Sequence, residues 1–299
     1  MLSRKILVGL ALVLICNFSF AQEEEGQLNP NSLLNIPRYE QLYKVKLWRV
    51  IDLREKQNKG FFARGNEITK LLLKAINSGE LADIYENDSL TTKKSKEDFN
   101  KGMTAQVGEI FPTWLPTTSY FQGDKVVFNG KNYDAAVNST GKNPANSPNE
   151  WEVTTQGQAI IFGARDIYRI QLQEDVIFDK RRSRLYYDML AMEFAAFDDI
   201  SGVYKPIGWF KYRDLEKVFR NHVKDAIWFN RYNTAENKNY ADAFLLRLFH
   251  GVIDKVENPD DERIAETYGA NQRPYKEAVW AMEWEEMKMM EKEHNLWEY

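Results

Sequence analysis

The sequence predicts an α+β protein with an extended N-terminal arm and helices, antiparallel strands, C-terminal helices and a small all-β inserted module. Helical apolar spacing occurs toward both ends of the chain, and period-two alternation occurs in the middle. The third observation is a stretch crowded with Gly, Asn and Pro, unlike the Glu- and Lys-rich chain on either side. We therefore assign residues 38–111 and 155–299 to an α+β body and residues 112–154 to the module.

Residues 1–21 predict an export signal. A basic pair precedes an apolar run from Ile6 to Cys16, and small residues occupy positions 19 and 21, which a signal peptidase reads. The run is too short for a transmembrane helix, which needs about 20 residues. A lipoprotein signal is disfavoured because Ile15, rather than a small residue, precedes Cys16. Cleavage after Ala21 removes the only cysteine, so we expect a mature chain without disulfides or thiol ligands.

The mature chain is acidic and begins with a polar segment. The full sequence has 40 Lys and Arg against 44 Asp and Glu, and loss of the leader's basic pair leaves a net charge of about −6. This charge disfavours a general nucleic-acid binder. Residues 22–37 are polar with two prolines, which predicts an extended arm that a partner orders.

Residues 66–78 predict an amphipathic helix. Apolar side chains recur at helical spacing at Ile68, Leu71, Leu72, Ala75 and Ile76, and Gly79 follows as a C-cap signal.

Residues 166–179 and 183–198 predict an antiparallel pair of strands, and residues 205–212 predict a third strand. The residues expected to share one face of each strand are Tyr168, Ile170 and Leu172 in the first and Leu190, Met192 and Phe194 in the second. The basic connection at residues 180–184 predicts a solvated hairpin tip rather than a phosphate site, because no aromatic residue lies among its bases.

The last third of the chain predicts helices. Residues 212–230 and 239–256 carry apolar stripes, and residues 258–269 begin with Asn, Pro and acidic residues that suit a helix N-terminus. In residues 273–299, large apolar side chains recur at spacings of three, four or seven: Trp280, Trp284, Met287, Met290 and Trp297. This stripe is typical of either a core face or a partner-docking face, and the sequence leaves both open.

The sequence has no recognisable catalytic, cofactor or metal motif. Its three histidines, His222, His250 and His294, lack metal-ligand spacing, and there is no GxSxG, P-loop or GxGxxG after a strand. The acidic pair at 198–199 points to opposite faces of a strand, and the acids at 260–262 suit a helix dipole, so neither resembles a glycosidase couple. We therefore predict that the protein is not an enzyme and binds no cofactor or metal.

The inserted module resembles the small chitin-binding-type carbohydrate modules of families 5 and 12. The resemblance rests on Gly123-Asp124 before a strand, the turn Asn129-Gly130-Lys131, and the framing aromatics Trp114, Tyr120, Tyr133 and Trp151. The Asn-Gly turn independently predicts a hairpin, because both of its central residues need positive φ. Those modules grip sugar with exposed aromatics in the region that corresponds to residues 134–143, which here contain none. A scaffold insert is therefore favoured, and the four aromatics remain carbohydrate-contact candidates.

The segment KLWRVIDLREKQNKGFF at residues 46–62 resembles the GldN (PorN) family of the type IX secretion system. Its distinctive cluster comprises Trp48, Arg49, Asp52, Arg54, Glu55, Lys56 and Asn58. The resemblance implies a periplasmic protein without enzymatic chemistry that lies against the outer membrane. It also implies a ring built with the lipoprotein GldK (PorK) and further copies of the chain, and contact with the motor proteins GldL and GldM.

These observations favour a structural ring subunit over a secreted chitin- or peptidoglycan-binding protein, with an unrecognised hydrolase as the third alternative. The assembly-interface candidates are the cluster of residues 48–58 and the C-terminal Trp280, Trp284 and Trp297.

Overall fold

The computed structural model describes residues 28–34, 36–105, 111–154, 161–199, 201–269 and 274–297. The predicted leader and the start of the predicted arm, residues 22–27, lie outside these ranges. The mixture of helices and antiparallel sheets confirms the α+β class. In the described part of the chain, no helix combines the length and apolar character needed to cross a membrane.

The elements, in chain order, are β1 Gln41–Asp52, β2 Phe62–Ala63, β3 Asn66–Glu67, α1 Ile68–Ser78, α2 Lys96–Gly102, β4 Ser119–Tyr120, β5 Lys125–Phe128, β6 Lys131–Ala135, β7 Ser139–Thr140, β8 Trp151–Thr154, β9 Ile167–Asp179, β10 Arg184–Asp198, β11 Val203–Lys211, α3 Tyr212–Asn221, β12 Ile227–Trp228, β13 Lys238–Asn239, α4 Tyr240–Leu245, β14 Val252–Val256, α5 Ile264–Gly269 and α6 Tyr275–Trp297.

A five-stranded antiparallel sheet of order β11-β10-β9-β1-β14 forms the centre of the body. The predicted pair β9 and β10 and the predicted third strand β11 are confirmed. The sequence analysis did not identify β1 as a strand, although it pairs with β9 along nearly its whole length.

The predicted face of β10 is wrong at one position. The register shifts between Met189 and Ala191, and an extra residue at such a bulge reverses the side-chain alternation. Met189, Met192 and Phe194 therefore reach the main core, whereas Leu190 is buried outside it.

The main hydrophobic core joins one part of the sheet to four helices, α1 to α4. It brings Ile170 and Phe194 of the sheet together with Leu72 of α1, Phe219 of α3 and Phe244 of α4. The predicted helix at residues 66–78 is present from Ile68, and Gly79 ends it with φ of 80°. Burial of these aromatic and branched side chains supplies the main driving force for folding.

A second cluster packs α6 against the sheet. Leu47 of β1, Phe178 of β9 and Ile253 of β14 are buried together with Met289 of α6. Helix α6 confirms the predicted C-terminal helix, and its inward face is formed by Ala278, Met282 and Met289.

The predicted helices at residues 212–230 and 239–256 are too long. Helix α3 ends at Asn221, and residues 227–228 form strand β12. Helix α4 ends at Leu245, and Arg247 then adopts φ of 52°, outside the helical region. At Gly251 the chain approaches β1 so closely that a Cβ would lie 2.7 Å from the Val50 carbonyl oxygen. The apolar residues that follow therefore belong to edge strand β14.

The predicted helix start at residue 258 is also wrong. Asn258 Oδ1 accepts the Glu262 N–H at 3.0 Å, which closes a turn, and α5 begins only at Ile264. Asn side chains readily close such turns, so the same residue types signal a turn as well as a helix cap.

Residues 112–154, which the sequence analysis assigned to an inserted module, contain a three-stranded antiparallel sheet, β5-β6-β8, and a short pair, β4-β7. Its own cluster of buried residues comprises Tyr120, Val126, Tyr133, Ala135 and Trp151. Asn129 and Gly130 both have positive φ, 50° and 74°, as the Asn-Gly hairpin predicts. The boundaries 112 and 154 of a separate domain stay a prediction.

Candidate assembly surface

Trp48 is buried within the chain, on the sheet face opposite to Leu47, because successive strand residues alternate. Its indole N–H donates to Asp88 Oδ2 at 3.0 Å. The Lys255 ammonium lies 3.8 Å from the ring centroid, which is close enough for a cation–π contact. The exposed surface of this tryptophan is therefore small, and its contacts stabilise the fold of the chain itself.

Arg49 belongs to a buried ionic network that connects β1, β9 and α6. Its Nε donates to Glu174 Oε2 at 3.1 Å, and its Nη1 donates to Glu286 Oε2 at 2.7 Å. Arg247 also donates to Glu174, which is fully buried. Burial alone raises the pKa of Glu174, but Arg247 and Arg49 together outweigh it and hold the pKa below its usual value. Loss of one partner would leave an uncompensated charge in the interior.

Asn58 is fully buried and joins two segments far apart in sequence. Its Nδ2 donates to the Asp52 carbonyl at 2.8 Å and to the His250 carbonyl at 2.9 Å, and its Oδ1 accepts the His250 N–H at 2.8 Å. The neighbouring Glu55 accepts a hydrogen bond from the His250 ring at 2.8 Å. Asn58 thus fixes the connection after β1 against the start of β14.

The remaining cluster residues lie nearer the surface. Asp52 Oδ1 accepts the Arg54 N–H at 2.7 Å, and the Arg54 guanidinium lies 3.5 Å from the Tyr168 ring centroid. Arg54, Glu55 and Lys56 are exposed. Of the predicted interface cluster, Trp48, Arg49 and Asn58 are therefore buried within the chain, and the three exposed charges are accessible to a partner.

Helix α6 carries a second apolar face that is exposed to solvent, and two of its residues, Met287 and Met290, also border a cleft with Arg247 and His250. We call this the outward face, and it comprises Trp280, Trp284, Met287, Met290 and Trp297. Each of these side chains is 53–56% exposed, so the core interpretation of the stripe is wrong. A helix that is apolar on two sides is usually covered on both, and large exposed apolar patches mark interaction sites.

The carbohydrate-contact candidates form the interior of the module. Tyr120, Tyr133 and Trp151 are each at most 8% exposed, and the Trp151 indole N–H donates to the Lys142 carbonyl at 3.0 Å. Trp114 is partly buried and lies edge-on to Phe128 with ring centroids 5.3 Å apart. Buried rings offer no face on which a sugar can stack, so these residues account for the module's core rather than for a sugar site.

A cavity of about 510 Å³ lies beside the N-terminal end of β9. Its lining combines Arg54, Tyr168 and Tyr204 with Asp198 and Asp199. Burial, together with a hydrogen bond to Tyr204, raises the pKa of Tyr168 to about 12. Across the described ranges, no group of three or more His, Cys, Asp or Glu side chains is close enough to hold a metal ion.

A buried pair of carboxylates under the arm was missed by the sequence analysis. Asp175 and Asp188 are directly opposite each other across β9 and β10, and each is at most 2% exposed. The arm covers them, because Asn29 Nδ2 donates to Asp175 at 3.5 Å and the Leu33 N–H donates to Asp188 at 3.3 Å. Burial, with a smaller contribution from the nearby Asp175 charge, raises the pKa of Asp188 to about 6. An acidic residue at an inward strand position is the only sequence signal for such a pair.

The family model for "Gliding motility associated protein GldN" matches residues 36–298, a range that includes residues 112–154, and the comparison gives no support to the predicted chitin-binding-type module there. No curated protein shows a significant match to the chain.

Proposed function

The chain belongs to the GldN family of gliding motility associated proteins, and from this membership we propose that it is a non-enzymatic structural subunit of a periplasmic ring in the type IX secretion and gliding machinery. Its partners in this proposal are the outer-membrane lipoprotein GldK, further copies of the chain, and the motor proteins GldL and GldM. The predicted leader suits export to the periplasm, with peripheral attachment to the outer membrane.

The observation that carries the proposal is the outward face of α6. Three tryptophans and two methionines are half-exposed on one helix, whereas the inward face of the same helix is anchored by Met289 in the core. Tryptophan is enriched among residues that dominate binding energy, and methionine adapts to irregular surfaces. In a protein that functions within an assembly, a partner can cover such an exposed apolar face.

The anchoring of α6 makes this face a rigid one. The Glu286 carboxylate pairs with Arg49, and Met282 and Met289 are buried against the body. A surface held in its binding conformation loses less entropy on association, so rigid presentation favours tight binding.

Carbohydrate binding has no comparable support, because three of the four aromatic side chains suggested for it are buried inside the module and the fourth, Trp114, is partly buried against Phe128.

The experiment is the mass of the native assembly extracted from the outer membrane, with the wild-type chain and with the double variant Trp280→Glu, Trp284→Glu. We expect the wild type to be extracted in a large complex with the lipoprotein, and the double variant to be lost from that complex. Val153→Glu, at an exposed apolar position of the module, is the matched control and should assemble normally. A wild-type chain that is extracted as a free monomer would contradict the proposal.

A further inference from the structure

A cationic groove lies between two segments that are far apart in sequence. One wall is residues 56–60 of the connection after β1, and the other is residues 228–232 after β12. The Phe229 N–H donates to the Gly60 carbonyl at 2.9 Å and joins the two walls. The space between them is about 360 Å³.

The charged residues that line this groove are all basic. Lys56, Lys59 and Arg231 are exposed along it, and of the nine residues that line it in the described structure none is acidic. The nearest carboxylate along the chain, Glu55, is bound to His250 at 2.8 Å. The groove therefore attracts an anionic partner, because like-signed charges along a cleft add their potentials.

The groove also presents aromatic surface held in a fixed position. Phe229 is 42% exposed and Tyr232 is 89% exposed. Asn230 Oδ1 accepts the Tyr232 N–H at 3.0 Å, which sets the turn that carries this ring. Trp228 lies over Gly60 so closely that a Cβ there would be 2.4 Å from its Nε1, so glycine is required in this wall. An occupant with both negative charge and apolar rings would match the groove.

The outward face of α6 has this composition. The helix carries six Glu and three Lys, and its exposed Glu283 and Glu291 flank Met287 at intervals of four residues, which places them on one side of the helix. Trp280 precedes Glu283 by three residues and Trp284 precedes Met287 by three, so both rings neighbour these positions on the same side of the helix. Neither of these two glutamates forms an ion pair with the described part of the chain, so both charges are available to a partner.

We propose that the outward face of α6 of one copy binds the cationic groove of a second copy. This inference rests on the proposed ring function and names the two surfaces that join neighbouring subunits. Because the two surfaces are different, the contact is heterologous, and its repetition builds a ring when the rotation closes. Glutamates of the helix pair with the lysines of the groove, and the tryptophan and methionine side chains cover the exposed rings.

The test is charge reversal on each side of the contact, followed by mixing. One purified full-length mature chain carries Lys56→Glu and Lys59→Glu, and a second carries Glu283→Lys and Glu291→Lys. Each double variant alone should self-associate about tenfold more weakly than the wild type, or worse, because like charges then face each other. An equimolar mixture should recover association, since every mixed contact again joins opposite charges. Sedimentation velocity measures the association, and circular dichroism confirms that both variants are folded.

The controls are Lys131→Glu and Glu152→Lys, each of which makes one such charge reversal at an exposed position of the module. They should associate as the wild type does. Reversed variants that associate like these controls, or a mixture that stays dissociated, would overturn the inference and leave the ring function standing. A wild-type chain that joins the lipoprotein complex but never self-associates would also overturn the inference without contradicting the proposed function. Absence of both the complex and self-association would instead reject the proposed function as well.

Discussion

The cluster at residues 48–58 and the outward face of α6 are both assembly candidates by sequence, yet their side chains are in opposite situations. Trp48, Arg49 and Asn58 are buried and bonded inside the chain. Trp280 and Trp284 are more than half exposed. The difference teaches that residues which carry a sequence resemblance can serve to hold the chain itself together, whereas an exposed apolar surface is the one suited to a partner.

Arg49→Ala is expected to cause the largest change in stability, and it tests whether the buried residues of the 48–58 cluster hold the fold together. Removal of its guanidinium leaves Glu286 without this partner and leaves the fully buried Glu174 with Arg247 alone. We expect the free energy of unfolding to fall by about 3–5 kcal/mol, as for other broken buried ion pairs. Urea unfolding followed by circular dichroism measures it. A variant with normal stability but lost assembly would place Arg49 on the interface side instead.

Asp188→Asn tests a second buried charge, through the pH dependence of the free energy of unfolding. The pKa of Asp188 in the folded protein is raised to about 6 from 3.8, so the folded state binds this proton more tightly than the unfolded state does. The contribution of Asp188 to stability therefore increases as pH falls from about 6 to 4 and is unfavourable above pH 6. At pH 7.5 we expect Asp188→Asn to raise the unfolding free energy by up to about 2–3 kcal/mol, with a flatter pH profile. Unfolding midpoints across pH 4–8 measure it, and a variant that is less stable at pH 7.5 would contradict the account.

Arg54→Ala is expected to have a small effect on stability, because its side chain is about half exposed and its pairing with Asp52 is a surface one. Such pairs contribute roughly 0–1 kcal/mol. Arg182→Ala at the hairpin tip is the control for an exposed basic residue. We predict that Arg54→Ala impairs assembly or secretion more than Arg182→Ala does, as scored by complex formation in the envelope. If the two variants form the complex equally well, the exposed charged residues of the cluster only interact with solvent and do not contribute to assembly.

Removal of the module is expected to have the smallest effect. Replacement of residues 112–153 by a short Gly-Ser linker should leave export and complex formation intact, since the cluster of Tyr120, Val126 and Trp151 is separate from the main core and loop-closure cost grows slowly with length. Immunoblots of envelope complexes measure it. Loss of the complex would make the module a third assembly surface.

The elements with a regular apolar period could be predicted from sequence, and the elements without such a period could not. Helices α1 and α6 and strands β9 to β11 have clear apolar periods. Strand β1 was missed because it is central: apolar and charged residues alternate irregularly where Trp48 and Arg49 are both buried. The stripe at residues 239–256 was assigned to one helix because a short apolar run fits a strand and a helix equally well, and the pairing of β14 with β1 decides between them.

The candidate site was predictable only in part. The stripe on α6 is local in sequence, and helical spacing alone identifies it. The cationic groove combines residues 56–60 with residues 228–232, and the buried network combines Arg49 and Glu174 with Arg247 and Glu286. No single segment carries either pattern, because the contacts depend on how the sheet and helices bring distant residues together.

The most direct test of the central claim compares stability and assembly in the same variant, Trp280→Glu with Trp284→Glu. The account predicts an unfolding free energy within about 0.5 kcal/mol of the wild type, because both side chains lie on the surface and outside the core clusters. It also predicts loss of the native complex on extraction from the outer membrane. A destabilised variant, or a stable variant that still enters the complex at the wild-type mass, would contradict the claim that the outward face of α6 is the surface on which this subunit assembles.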